Sequence, residues 1–148
     1  MKTERLSNGF EYLLVNDESK ICCIQFKLNV GSKDDPYLKS GLAHFTEHML
    51  FGNGISTELD ENGIEWNGYT SRDSTGYFFI CKQEKLLKLL EIVKKMMFHM
   101  KFKMKYFKKE KKVIQEEILL RKSDRGRQII YLAYIKMFKS QIRHDIKG

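Results

Sequence analysis

The sequence contains little that would interrupt a folded chain. It has one proline in 148 residues, and no segment rich in glycine, serine and proline divides it. A chain of this length with 42% hydrophobic residues can bury a modest core. We therefore expect a single domain or part of one.

Long apolar segments are also absent from the sequence. No run reaches the roughly 18 apolar residues of a membrane span, and MKTERLSNGF, residues 1–10, lacks the apolar run of a signal peptide. Cysteine is limited to Cys22, Cys23 and Cys81, without the spacing of a disulfide framework, which indicates a reducing compartment. We expect no membrane attachment and a cytoplasmic location, with organellar targeting as the open alternative.

Acidic residues are outnumbered by basic residues, 19 to 27, which gives a net charge of +8. The lysines are densest in KKMMFHMKFKMKYFKKEKK, residues 94–112. Since no recognised nucleic-acid motif accompanies them, we interpret the basic surface as a solvated one and predict no nucleic-acid partner. Its alternative role is to attract acidic substrates or partners.

The hydrophobic pattern predicts an α+β fold. We expect a mostly antiparallel sheet with helices packed on one face. The turn-like DESK between the first two predicted strands indicates that these strands pair with each other. The predicted strands span residues 10–16, 21–30 and 75–82, and the predicted helices span about 38–51, 84–100, 105–122 and 125–141.

The apolar stretch GLAHFTEHMLF, residues 41–51, carries three polar side chains at helical spacing. His44, Glu47 and His48 occupy positions i, i+3 and i+4, which lie on one face of a helix. Two imidazoles one turn apart can bind one ion, the usual arrangement for zinc, and a glutamate between them can polarise a water on that ion. Such a site has the chemistry of peptide hydrolysis.

The alternative for these three residues is a pair of hydrogen-bonded core histidines and a capped glutamate. That alternative requires a separate partner for each polar group, because a buried charge without a partner is costly. One metal ion satisfies all three side chains together, which favours a metal site.

A catalytic zinc usually takes three protein ligands, so a third is expected elsewhere. KKEKKVIQEEILLRK, residues 108–122, predicts a helix. When successive residues are placed about 100° apart around the helix axis, four of them form one stripe along the helix. Glu117 lies at the centre of this stripe and is the better candidate ligand, whereas Glu110 can orient a histidine or a bound water. Either glutamate can instead be a surface residue that pairs with lysine. The stripe consists of Glu110, Val113, Glu117 and Leu120.

HFTEH resembles the inverted zinc motif H-x-x-E-H of the inverzincins. Its surroundings are similar to the first domain of the pitrilysin-type (M16) metallopeptidases, which include bacterial processing proteases, mitochondrial processing peptidase and insulin-degrading enzyme. The similar segments occur in the family's order and cover most of residues 5–120. They are LSNGFEYLLVND, VGSKDDPYLKSGLAHFTEHMLFGNG, WNGYTSRDSTGYFF and EKKVIQEEI.

The resemblance implies a partial pitrilysin/LuxS-like metallohydrolase domain with zinc endopeptidase activity. By the family's pattern, His44, His48 and Glu117 would bind one zinc ion. Glu47 would be the general base, and Glu110 matches a glutamate that supports the site.

Asn67, in WNGYTSRDST, matches the asparagine that family members place beside the bound substrate backbone. Its side-chain amide offers both a donor and an acceptor to a peptide. The alternative is an ordinary turn residue, because Asn-Gly is a strong turn signal. The resemblance also implies that a peptide or small-protein substrate binds as an added strand at an exposed sheet edge.

The sequence departs from the family pattern in three places. FGNGIST stands where the family has F-x-G-T, and the stretch between the histidines and Glu117 is shorter, with the missing residues within 53–66. HDIKG, residues 144–148, resembles a point partway through the family's first domain. We therefore expect residues 1–148 to be a single truncated N-terminal zinc-binding domain that lacks further strands and the second, non-catalytic domain.

The sequence leaves three functions open. The first is a zinc endopeptidase subunit that works with a second M16-like chain or domain, which the intact motif favours. The second is an inactive accessory or binding module that retains the zinc site, which the missing strands favour because they leave a sheet edge exposed. The third is a basic protein with anionic partners, which only the lysine-rich helices favour.

Overall fold

The computed structural model describes residues 2–138 and has an α+β fold, as the sequence predicts. The strands are β1 (Lys2–Arg5), β2 (Glu11–Leu14), β3 (Ile21–Leu28), β4 (Glu65–Thr70) and β5 (Thr75–Lys82). The α-helices are α1 (Leu42–Leu50), α2 (Ile55–Glu61), α3 (Leu86–Phe98), α4 (Met104–Ser123) and α5 (Arg125–Met137).

The main sheet has three antiparallel strands in the order β3-β5-β4. The central strand, β5, buries every second side chain, namely Tyr77, Phe79 and Cys81. Helices α1 and α3 pack against β5, and α2 packs against β4 and α3. Within residues 2–138, β4 pairs with β5 alone, so its other edge has no strand beside it.

The hydrophobic core lies between this sheet and the helices. The apolar residues of α2 and α3 recur about one turn apart, which gives each helix a buried face. Glu58 on α2 also forms ion pairs with Lys88, at 3.0 Å, and Lys95, at 2.7 Å, both on α3. The buried cluster consists of Phe51, Ile55, Leu59, Ile64, Tyr77, Phe79, Cys81, Leu89, Ile92, Val93 and Met96.

Strands β1 and β2 form a separate sheet, so the predicted pairing of residues 10–16 with 21–30 is wrong. A tight turn closes the β1–β2 hairpin. Gly9 has a φ of 86°, and its amide donates to the carbonyl of Leu6 at 2.9 Å. Asn-Gly is a strong hairpin signal, and here Asn8 and Gly9 favour the local partner over the next strand along the chain.

Helix α1 begins at Leu42, later than the predicted start near residue 38. Leu38 and Gly41 have φ values of 66° and 88°, which do not belong to a right-handed helix. The buried carboxylate of Asp35 accepts hydrogen bonds from the amides of Gly41, at 2.7 Å, and Ala43, at 2.8 Å. These bonds satisfy amides at the helix N-terminus and fix where the helix begins.

Residues 52–74, for which the hydrophobic pattern predicts neither a strand nor a helix, contain two regular elements, α2 and β4. Helix α2 has 7 residues, which is too short for a clear helical pattern. Strand β4 is an edge strand with exposed Glu65 and Asn67, so it lacks a long apolar run. Both elements were therefore hidden from a search for hydrophobic periodicity.

Two predictions concern residues outside the described part of the chain. They are residues 139–141 at the end of the last predicted helix and HDIKG at residues 144–148. Among residues 2–138, no helix combines the length and the apolarity needed to cross a membrane.

Candidate metal centre

Helix α1 carries the three polar side chains of the HFTEH motif. His44 and Glu47 are buried, at 5% and 7% exposure, and His48 is half-buried. The helix contacts α4, and the rings of Phe45 and Phe107 lie 4.9 Å apart at this contact. The two histidines of the motif lie in the seam between α1 and α4, beside glutamates of the second helix.

Helix α4 brings Glu117 to the two histidines. Glu117 Oε2 lies 3.6 Å from His44 Nε2, and Glu117 Oε1 lies 3.6 Å from His48 Nε2. One ligand atom from each of the three residues lies within 4.8 Å of the other two. The structure thus brings together the three residues predicted to bind the metal.

The spacing of these atoms fits a zinc ion. Two Zn–N bonds of about 2.0–2.1 Å at a near-tetrahedral angle place the nitrogens about 3.3 Å apart. The Nε2 atoms of His44 and His48 are 3.2 Å apart. Two imidazoles and one carboxylate form a donor set that catalytic zinc sites use. The side chain of Glu117 is 29% exposed, which leaves access for water or substrate.

Glu110 lies behind His48, on the side away from the other ligand atoms. Its Oε2 atom is 3.1 Å from His48 Nδ1, and the Glu110 side chain is buried. When the carboxylate accepts the Nδ1 proton, the Nε2 lone pair of the same ring is free to face a metal. The structure therefore places Glu110 where an orienting residue is expected.

Strand β4 holds Glu47 in a defined orientation. Glu47 Oε2 accepts a hydrogen bond from Thr70 Oγ1 at 2.6 Å. The backbone of Gly68 lies so close that a Cβ there would be 2.8 Å from Glu47 Oε1. Burial, with the Glu47 charge as a second cause, raises the pKa of Tyr77 well above its ordinary value. The candidate base is thus a buried carboxylate beside a strand of the sheet.

Thr70 is a site residue that the sequence reasoning missed, although it lies within WNGYTSRDST. The signal was the alternation of side chains along a strand. Gly68 and Thr70 share the face of β4 that meets Glu47, whereas Asn67 lies on the opposite face. The short strand has no alternation of strongly apolar and polar residues, so this signal is weak in the sequence.

Asn67 lies apart from the metal-binding group, on the edge strand β4. It is paired with Phe78 of β5, and its side chain is exposed. Its Oδ1 atom accepts a hydrogen bond from the Gly68 amide at 2.8 Å. The turn alternative is wrong for Asn67, because Glu65–Thr70 is a regular strand.

The comparison with known families decides the family of this chain. A protein-family model described as Insulinase (Peptidase family M16) matches residues 12–131. The chain belongs to this family. This match confirms the M16 family that the sequence motifs resemble.

Three relatives illustrate the extent of the similarity to this M16 chain. An insulin-degrading enzyme homolog of Dictyostelium discoideum is 37% identical over 98 residues, covering 59% of the chain and 10% of the relative. Mitochondrial-processing peptidase subunit beta of Caenorhabditis elegans is 31% identical over 120 residues, covering 76% of the chain and 26% of the relative. The uncharacterized zinc protease YmxG of Bacillus subtilis is 31% identical over 127 residues, covering 80% of the chain and 31% of the relative. The M16 chain thus spans 10% to 31% of the length of these relatives.

A solved structure has the same fold as this M16 chain. The crystal structure of a protease from Helicobacter pylori matches it with a TM-score of 0.85, over 99% of this chain and 38% of that chain. The sequence identity is 24%, so this likeness describes the fold.

Proposed function

We propose that this chain is the zinc-binding catalytic portion of an M16 endopeptidase. The observation that carries the proposal is the meeting of His44, His48 and Glu117, whose ligand atoms lie within 4.8 Å of one another although they come from two helices. Relatives named as a processing peptidase and as a zinc protease support the same function. We assign one Zn²⁺ ion to this site.

The chain's own residues supply binding and proton transfer in this proposal. A bound zinc ion would lower the pKa of its water to roughly 7 and polarise the peptide carbonyl. His44 and His48 offer Nε2, and Glu117 offers its carboxylate. Glu47 accepts the proton of the attacking water and returns it to the leaving amine. Thr70 donates to Glu47 Oε2 and so holds the carboxylate in one orientation.

The proposed substrate is a peptide or small protein in an extended conformation. Strand β4 has no second neighbour among residues 2–138, so its edge can accept a substrate strand through main-chain hydrogen bonds. Asn67 lies on this strand with an exposed side chain. We propose that its amide contacts the substrate backbone, since it can both donate and accept.

We further propose that a second M16-like chain or domain completes the enzyme, and that residues 1–148 form one N-terminal zinc-binding domain. The chain spans 10% to 31% of three curated relatives. Two relatives are named as subunits, mitochondrial-processing peptidase subunit beta and cytochrome b-c1 complex subunit 1 of Bos taurus. A cytoplasmic location and the absence of nucleic-acid and membrane partners stay predictions.

A second candidate is an accessory or binding module that keeps the zinc site without turnover. Its support is the main sheet of residues 2–138, whose two outer strands leave edges that a partner can cover. The two candidates differ in whether peptide cleavage depends on Glu47.

The test compares the wild-type chain with Glu47→Gln, each alone and mixed with candidate M16-like partner chains. Glutamine keeps the shape of the side chain but cannot take the proton. We expect unchanged zinc content and a loss of peptide turnover of at least about 100-fold. Retained hydrolysis in the pure variant contradicts the mechanism. A wild-type chain that binds zinc but cleaves nothing with any partner supports the accessory module.

A further inference from the structure

The seam between α1 and α4 contains a tyrosine that the proposed mechanism does not use. Tyr106 lies in the first turn of α4, four residues before Glu110, and its side chain is half-buried. Residues at i and i+4 are neighbours on one helix face. Tyr106 therefore lies on the same face as the glutamate that contacts His48.

The ring of Tyr106 packs against the backbone immediately after α1. A Cβ at Gly52 would lie 1.9 Å from Tyr106 Cε1 and 2.4 Å from both Cδ1 and Cζ. No side chain other than hydrogen leaves room for the ring in this position. Gly52 and Tyr106 are thus a matched pair that sets how closely the start of α4 approaches the end of α1.

The hydroxyl of Tyr106 reaches two groups that belong to the metal site. It lies 3.5 Å from the carbonyl oxygen of His48, and the second group, the Glu110 side chain, is its neighbour one turn further along the same helix face. A tyrosine hydroxyl can donate a hydrogen bond, and the buried Glu110 carboxylate can accept one. Glu110 Oε2 in turn lies 3.1 Å from His48 Nδ1.

We infer that Tyr106 is a positioning residue for the metal site. Its hydroxyl holds the Glu110 carboxylate so that the carboxylate accepts the Nδ1 proton of His48, and Gly52 provides the space that this requires. The inference rests on the proposed function because it takes His48 as a metal ligand. Tyr106 itself touches neither the metal position nor the substrate edge of β4.

The zinc dissociation constant tests the inference without any measurement of activity. Wild type, Tyr106→Phe, Glu110→Gln and the double variant are titrated against a chromophoric chelator. Tyr37→Phe is the matched control, because Tyr37 is 81% exposed. We expect Tyr106→Phe to weaken zinc binding about fivefold, less than a direct change of the orienting carboxylate. In the Glu110→Gln background the tyrosine change should have no further effect.

Two results would overturn the inference. One is zinc binding by Tyr106→Phe within about twofold of wild type, as for the Tyr37 control. The other is full additivity of the Tyr106 and Glu110 effects, which would show that the tyrosine does not act through Glu110.

A second measurement covers the case in which the wild-type chain binds no zinc. That outcome counts against the proposed function. The nitrogen-15 NMR signals of the His48 ring in the metal-free chain still test whether Tyr106 has a positioning role. We expect wild type to show one tautomer protonated at Nδ1 and Tyr106→Phe to show a mixture. Identical spectra in both proteins would contradict the positioning role.

Gly52→Ala provides an independent variant with all polar groups intact. The added methyl group must displace the Tyr106 ring, so we expect it to weaken zinc binding to a similar degree. Gly126→Ala is its control, because the nearest atom to a Cβ there is 3.3 Å away. A Gly52→Ala chain that folds and binds zinc like wild type would show that the position of the Tyr106 ring does not affect zinc binding, which would contradict the inference.

Discussion

Thr70 donates a hydrogen bond of 2.6 Å to Glu47, which links the edge strand β4 to the carboxylate proposed as the general base. The same strand offers the edge proposed to bind substrate. A substrate that pairs with β4 would therefore lie on the element that fixes Glu47. This arrangement predicts that Thr70 affects the chemical step more than substrate binding.

Replacing Thr70 tests that expectation. Valine has nearly the same shape but no hydroxyl, so Thr70→Val should lower kcat on the order of tenfold and leave KM within about twofold. Thr70→Ser keeps the hydroxyl and is the matched control, with an expected kcat within about threefold of wild type. Steady-state kinetics of the active assembly measure both constants. A loss confined to KM would argue against a role in orienting Glu47.

Asp35 is expected to stabilise the helix that carries the metal ligands. Its buried carboxylate accepts from the amides of Gly41 and Ala43, so Asp35→Ala should destabilise the fold by about 1–3 kcal/mol. Denaturant unfolding measures the difference in the free energy of unfolding.

Asp17→Ala is the control for Asp35, because Asp17 accepts one exposed hydrogen bond, from the Ser19 amide. We expect this variant to remain within about 0.5 kcal/mol of wild type. Equal unfolding midpoints for the two alanine variants would show that the Asp35 bonds do not hold α1.

Glu58 should make stability depend on acid pH. The hydrogen bonds from Lys95 and then Lys88 lower the pKa of Glu58 below its ordinary value of 4.5. A group with a lowered folded pKa stabilises the fold above its unfolded pKa, and this contribution is lost as pH falls from about 4.5 through the folded value. Since both lysines are largely exposed, the contribution should be about 1 kcal/mol or less.

Thermal unfolding of Glu58→Gln across acid pH measures this dependence. The difference from wild type should be present near neutral pH and should disappear as the pH falls from about 4.5 through the lowered pKa of Glu58. Glu91→Gln is the control, because Glu91 is 74% exposed and lies 4.0 Å from Lys88. A stability difference between wild type and Glu58→Gln that is constant with pH would contradict the assignment.

Helical spacing in the sequence predicts which side chains share one face of each helix at the candidate metal site, but not that the two helices meet there. Residues at i, i+3 and i+4 must share a helix face, so the relation among His44, Glu47 and His48 follows from local geometry. The centre of the apolar stripe also selected Glu117 over its neighbours, and the structure places Glu117 beside both histidines. Their roles in binding and catalysis stay predictions.

The contribution of β4 could not be predicted in the same way. The edge strand EWNGYT has no strong hydrophobic period, so the segment around Asn67 and Thr70 gives no clear strand signal. The hydrophobic pattern also gives the wrong partner for β2. The Asn8–Gly9 turn joins β2 to β1, which is only 4 residues long and mostly exposed, so β1 has no hydrophobic signal of its own. Contacts between distant segments follow from packing that no single segment encodes.

The zinc content of the purified chain is the most direct test of the proposed zinc site formed by His44, His48 and Glu117. Wild type, His44→Ala, His48→Ala and Glu117→Ala are dialysed against trace zinc, checked for folding and analysed for bound metal. We expect about one zinc ion per wild-type chain and a marked loss in each variant, since each removes one of three ligands. A folded wild-type chain without zinc, both alone and with M16-like partner chains, would contradict it, as would zinc binding unchanged in all three variants.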